Sequence, residues 1–211
     1  MNLKSNFFEN RGSNLRIAHD EANAEKELTL ALHAHLPTSL IFRPVVIVCI
    51  GTDRSTGDSL GPLVGTKLQD KTLHHVHVYG TLDEPIHAVN LEEKLAFINQ
   101  KHLNPFIIAI DACLGRLKSV GQITIGEGPV MPGAGVKKDL PPVGDIHITG
   151  IVNVSGFMEF FVLQNTRLSL VMKIAKVIAY SIEELDKLME RKNILSSSSN
   201  NQEPPFIQAQ D

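Results

Sequence analysis

Apolar residues along this chain fall into two rhythms: short continuous runs that suit buried strands, and four-residue spacings that suit helix faces. The first helical stripe is Glu21 to Leu36, where Leu28, Leu32 and Leu36 recur at every fourth position before Pro37 stops the segment. It predicts an amphipathic helix packed outside the main sheet. From Pro44 the run PVVIVCIG is rich in β-branched residues, too short for a good helix and closed by glycine, which predicts a buried strand. Leu60 to Asp70 then reads as helix, HVHVYG as a second strand, Pro85 to Gln100 as helix and NPFIIAIDAC as a third apolar strand. Strand, helix, strand, helix, strand is the order that right-handed crossovers impose on a parallel sheet. GQITIGEG alternates apolar and polar residues more cleanly, as an edge or antiparallel strand with one wetter face does, so the sheet is expected to be mixed.

Past this point the pattern loosens. Gly128 to Gly144 holds four prolines and four glycines without apolar periodicity, a connection longer than compact domains usually carry and read here as a substrate-covering lid. DIHITGIV supplies a fifth strand, and Gly156 to Lys192 carries helical spacing for one broken or two consecutive helices. The expected organisation is a flexible N-terminus over 1–15, one α/β domain over 16–192 and a disordered tail over 193–211, where SSSSNNQEPPFIQAQD is polar, proline-bearing and of low complexity.

Composition narrows the classes of function. At 211 residues and 43% hydrophobic content the chain buries one substantial core. A formal charge of −3 gives no field that would attract phosphate backbones or anionic bilayers, so neither nucleic acid nor membrane is an expected partner. No apolar run approaches the roughly 20 residues that span a bilayer, and the opening residues lack a signal-peptide core, so the expected location is the cytoplasm. Cys49 and Cys113 end apolar runs without a Cys-x-x-Cys spacing and read as reduced core thiols.

In a parallel sheet, sites form beyond the carboxyl ends of the strands, which ranks the loops before any motif is invoked. The first such loop, GTDRSTGDSLGP, sets two carboxylates and four hydroxyls between a buried strand and a helix. Asp58 in it has a bland explanation, capping the free amides of the coming helix. Asp111 ends the third apolar strand, IIAIDAC, and is expected at the same sheet edge, where two acids within about 4–6 Å share a proton or hold a cation. Either state suits activation of a water. His147, inside the fifth strand, is on its own a structural or exposed histidine. If it reaches the acids it completes a three-ligand set with open positions, of the kind that hydrolytic divalent metals occupy.

Other candidates carry less. His74, His75 and His77 fall on both parities of a strand and cannot all face one site. His87 follows Pro85 at another carboxyl-end position and is a candidate lining residue. PGAGVKKDLPP offers Lys137 and Lys138 to an anion but lacks the Gly-Lys-Ser/Thr ending of a phosphate loop. GDSLG fits the spacing of a nucleophile elbow with Ser59 as nucleophile and His147 as base, yet the six residues between Gly51 and Asp58 make too long a loop for that sharp turn.

With these residues in hand, the chain resembles the sporulation protein YyaC family, relatives of the bacterial germination protease that share a fold with hydrogenase maturation peptidases. The resemblance runs from Pro44 to Lys192 and rests on IGTDRSTGDSLGP, similar to the germination protease loop ending Pro-Asp-Ala-Leu-Gly-Pro, on IIAIDACLGR and on MPGAGVKKDLP. It implies a three-layer α/β/α domain of the phosphorylase/hydrolase-like kind. It also places Asp58 and Asp111 on the two aspartates assigned to germination protease catalysis, the pair that the strand-end argument selects. Hydrogenase maturation peptidases bind a divalent metal through Glu, Asp and His. Asp58, Asp111 and His147 take analogous places, with Asp58 standing where that family has Glu.

The expected function is therefore a spore-associated endopeptidase acting on a protein or peptide substrate, with Asp58 and Asp111 catalytic. The expected cofactor is at most one divalent ion (zinc, nickel or manganese) on Asp58, Asp111 and His147, with no organic cofactor. A catalytically inactive peptide-binding or regulatory spore protein on the same fold is the alternative, because fold alone does not establish activity. A small-molecule hydrolase comes third, and assembly into a homo-oligomer is compatible with all three.

Overall fold

The computed structural model describes residues 15–37, 40, 43–132 and 140–199, and for 191–199 only the course of the helix. Its centre is the run VVIVC, β2 (Val45–Cys49), in which every residue is buried. A strand apolar on both faces must be covered on both, and that requirement builds the layers.

In chain order the elements are β1 (Leu15–Ala18), α1 (Ala24–His35), β2, α2 (Leu60–Gln69), β3 (Val76–Tyr79), α3 (Leu91–Lys101), β4 (Phe106–Gly115), β5 (Gln122–Glu127), β6 (Ile146–Val154), α4 (Glu159–Gln164) and α5 (Leu168–Ser199). The six strands form one mixed sheet in the order β1-β5-β6-β4-β2-β3. β6, β4, β2 and β3 run parallel, while β5 runs antiparallel to both of its neighbours. The α/β expectation, with helices on both faces, thus holds.

One face carries the larger core. Val45, Ile47, Ile108, Ile110, Ile146 and Ile148 meet Leu28 and Leu32 of α1, Leu60 and Val64 of α2, and Val171, Ile174 and Ile178 of α5. On the other face Val46, Val48 and Ala109 are covered by Leu91 and Ile98 of α3, with Ile86 and Val143 beside them. Among the described residues no helix is long and apolar enough to cross a membrane.

Three boundaries depart from the sequence reading. LRIA forms a four-residue edge strand, β1, because pairing with β5 buries Ile17 to 1% exposure. β5 is therefore antiparallel but internal. Helix α3 starts at Leu91, not Pro85, because Asn90 ties the preceding turn: its Nδ2 donates to the carbonyl of Pro85 (3.0 Å) and its Oδ1 accepts from the amide of His87 (2.8 Å). Ile86 pairs with Ile50 as a parallel bridge, so this turn prolongs the sheet. Helix α5 continues to Ser199, past the domain end expected at 192. Residues 1–14, 200–211 and most of the expected lid, including Lys137 and Lys138, lie outside the described residues.

Far from the carboxyl ends, α5 is fastened to the start of β3 by a buried carboxylate. Asp186, 2% exposed, accepts the backbone amides of His74 (2.9 Å), His75 (2.7 Å) and Val76 (3.0 Å). Nothing else in the described structure answers three consecutive main-chain donors at once.

Candidate active site

β2 and β4 are neighbours, so the loop leaving β2 and the last turns of β4 rise side by side from the sheet. The β2 loop is drawn in tightly. The amide of Gly51 donates to the carbonyl of Ile86 (2.8 Å), and that of Thr52 donates to the carbonyl of Asp58 (3.1 Å). Gly51 adopts φ +141, and a Cβ there would run into the carbonyl of Asp58, so only glycine lets the loop close back on the strand end.

This closure decides the role of Asp58. It lies in a single 3₁₀ turn, Gly57–Ser59, and neither that turn nor α2 has a side-chain cap, so the capping explanation is gone. Burial raises its pKa, with the Thr52 amide and the charge of His87 pulling the other way. Asp111, on β4, is 9% exposed, and its Oδ1 accepts the amide of Ala112 (2.8 Å). Burial pushes its pKa well above the ordinary carboxylate range, and the charge of Asp58 pushes it further. Two acids that feel each other this way favour a state in which one carries a proton.

Both carboxyls line a cavity of about 910 Å³ at the carboxyl edge of the sheet. His87, held by the Asn90 turn, lines it too, and its Nδ1 accepts the amide of Val89 (3.3 Å), which leaves Nε2 to carry the ring proton when the imidazole is neutral. Thr149 stands opposite Asp111 on β6 and shares a hydroxyl hydrogen bond with Thr124 (3.0 Å). Cys113 also lines the cavity, because β4 runs on to Gly115. It is thus not the core thiol expected, and burial raises its pKa while Thr149 lowers it. Cys49, by contrast, is fully buried, and burial raises its pKa far out of the reactive range.

His147 does not join the pair. The register sets it opposite Ala109, two residues toward the amino end from the Asp111–Thr149 row, or about 6–7 Å at strand rise. Its Nδ1 donates to the carbonyl of Gly128 (2.9 Å), and it does not line the cavity. The expected Asp58, Asp111 and His147 ligand set is therefore not assembled, and no group of three or more His, Cys, Asp or Glu among the described residues is arranged to hold a metal ion. Parity predicts the sheet face of His147 but not its height along the strand, which only the register supplies. His87, by contrast, lines the cavity as its carboxyl-end position in the sequence led one to expect.

The serine alternative closes on local grounds. Ser59 is 5% exposed, its Oγ donates to the carbonyl of Thr56 (2.7 Å), and it does not line the cavity. Of His74, His75 and His77 only His77 lies in β3, where it stacks on His102 with ring centroids 4.4 Å apart, and none of the three lines the cavity of the acids.

Half-buried Asp58 and buried Asp111 thus share one cavity at the carboxyl ends of neighbouring parallel strands of an α/β domain. Residues 16–181 match the family described as "Protein of unknown function (DUF1256)", and the chain belongs to that family. It is 57% identical over 180 residues to "Uncharacterized protein YyaC" of Bacillus subtilis (strain 168), covering 85% of this chain and 87% of that protein. Among solved structures it is similar to the [NiFe] hydrogenase maturation protease HycI from Thermococcus kodakarensis KOD1. That similarity has a TM-score of 0.48 at 18% identity, over 74% of this chain and 99% of the other. The kinship to YyaC implied by the sequence motifs is thus established.

Proposed function

We propose that this protein is a peptidase of the sporulating or germinating cell, which hydrolyses a peptide bond of a protein substrate between Asp58 and Asp111. The observation that carries the reading is the pair itself: two carboxyls from neighbouring strand ends line one cavity, each displaced upward in pKa by burial, and Asp111 further by the charge of Asp58. Kinship to a Bacillus protein and the motif resemblance to the germination protease, whose paired aspartates fall on Asp58 and Asp111, support it.

The asymmetry of the pair assigns roles. Asp111, more deeply buried, holds the shared proton, and Asp58, beside His87 and the Thr52 amide, is the carboxylate. Asp58 removes a proton from water as its oxygen bonds to the peptide carbonyl carbon, while Asp111 gives its proton to the carbonyl oxygen. As the carbon–nitrogen bond breaks, Asp58 returns its proton to the leaving nitrogen and Asp111 recovers one from the intermediate's hydroxyl. The products are a carboxylic acid and an amine, and the pair is restored. His87 favours the ionised form of Asp58. No step is routed through a metal, because His147 is not placed to complete the donor set.

The test incubates extracts of sporulating cells with the unaltered protein, Asp58→Asn or Asp111→Asn, and maps new protein termini by mass spectrometry. New termini made only by the unaltered protein are expected. Termini that persist in both variants, or none at all with the unaltered protein, contradict the reading.

A further inference from the structure

The cavity is not lined uniformly with acids and apolar groups. Arg54 is the one lysine or arginine among its described lining residues, which otherwise include the acids Asp58, Asp111 and Glu159. It sits on the loop that places Asp58, with its own amide held by Thr52 Oγ1 (3.3 Å). Its guanidinium forms no ion pair within the described residues, although Asp58 lies four residues away on the same loop. Arg43, by contrast, is tied to Asp145 and to two carbonyls, and it is the only described arginine in an ion pair; what sets Arg54 apart is its place in the cavity lining. An unpaired guanidinium at the mouth of a cavity is a fork of donors fitted to a carboxylate.

Two neighbouring features say what carries that carboxylate. Ser55, 8% exposed, lines the cavity next to Arg54, and its Oγ has no hydrogen-bond partner among the described residues. Around the mouth, Val89, Met131 and Phe160 are 83%, 64% and 50% exposed, large apolar side chains without cover. Among the described residues, a floor of acids, an apolar rim and the Arg54 guanidinium match an extended chain that has apolar side chains and an anionic group displaced from the bond at the acids.

We infer that Arg54 is a specificity-determining residue, selecting peptides that carry a carboxylate beside an apolar stretch. The inference rests on the reading of this cavity as a peptide site. The carboxylate comes from an acidic side chain or from a chain terminus, which share one chemistry. Arg54 acts at the rim and takes no part in the proton transfers of the pair.

The experiment measures fluorescence anisotropy of labelled octapeptides with a central Leu-Phe and a flanking Glu, Gln or Lys, each as C-terminal acid and amide. They are titrated with the unaltered full-length protein, Arg54→Ala and Arg54→Glu, and each sample is then assayed for cleavage. The unaltered protein is expected to bind Glu peptides about tenfold more tightly than Gln peptides. Arg54→Ala removes the difference and Arg54→Glu turns it toward Lys. A preference for the free acid over the amide in the Gln peptide, lost in Arg54→Ala, assigns the group to the chain terminus and supports the inference equally. Equal binding of Glu, Gln and Lys peptides with no preference for the free acid over the amide, or a preference that Arg54→Ala retains, overturns it alone. Binding of no peptide overturns it together with the peptide-site reading, whereas selective binding without cleavage removes only the hydrolytic step.

Discussion

Replacing Asp111 by Asn should abolish turnover and yet make the protein more stable. Asp111 is 9% exposed, and its neutral form is favoured by burial and by the charge of Asp58, so ionising it in the fold costs free energy that the unfolded chain does not incur. Asn keeps the volume and the Oδ1 that accepts the Ala112 amide at 2.8 Å, and it cannot ionise. The sign follows from proton counts. With a folded pKa above the unfolded value of about 3.9, the native state binds more protons across that window, and stability of the unaltered protein falls as pH rises through it. Below about pH 3.9 the variant gains nothing. Above the folded pKa it gains the full amount, about 1–2 kcal/mol for relief of a strained functional group, or roughly 2–8 °C in Tm at this size. Thermal unfolding followed by circular dichroism from pH 4 to pH 8 reads both curves. A variant less stable than the parent at pH 7, with an unchanged pH dependence, would refute the reasoning.

Asp186→Ala strips the acceptor from three consecutive amides, one of them on buried Val76, and should cost about 3–5 kcal/mol in urea unfolding. A loss under 1 kcal/mol would mean that α5 is not fastened to β3 there. Gly51→Ala puts a Cβ against the Asp58 carbonyl at φ +141 and should destabilise by about 2 kcal/mol or more while depressing turnover, although no acid is altered. Equilibrium denaturation beside a cleavage assay checks both effects. His87→Ala removes a charge that lowers the pKa of Asp58, so the acidic limb of the pH–activity profile should move to higher pH, whereas His147→Ala should leave the profile in place. The reverse outcome would restore His147 to the site.

Much of this arrangement is written locally in the chain. VVIVC and FIIAID announce buried parallel strands because their apolar runs are β-branched and continuous, and the strand-end rule then points to Asp58 and Asp111 without a structure. What local pattern could not supply is distance along the strands. His147 shares a sheet face with Asp111, yet the β4–β6 register sets it two residues too low, and register is a property of pairs of strands. LRIA is too short to announce a strand on its own, and its strand depends on pairing with β5. The segment before α3 reads as helix in sequence, yet the pairing of Ile86 with Ile50, a contact between distant segments, holds it extended, and the Asn90 turn that follows brings His87 to the cavity. Cys113 reads as core because it ends an apolar run, and only the loops that frame the cavity, which local pattern does not place, show that it lines the cavity.

The central claim is that Asp58 and Asp111 are one coupled pair, and it can be tested without knowing the substrate. The measurement is a pH titration of side-chain carboxyl resonances by carbon-13 NMR, in protein labelled at the aspartate carboxyl carbon, with Asp58→Asn alongside. The account predicts that the Asp111 resonance keeps its protonated position at pH values where the surface aspartates have ionised. It also predicts that Asp58→Asn moves the Asp111 midpoint to lower pH, because a neighbouring charge has been removed. An Asp111 that titrates with the surface aspartates, or a midpoint indifferent to Asp58→Asn, would contradict it.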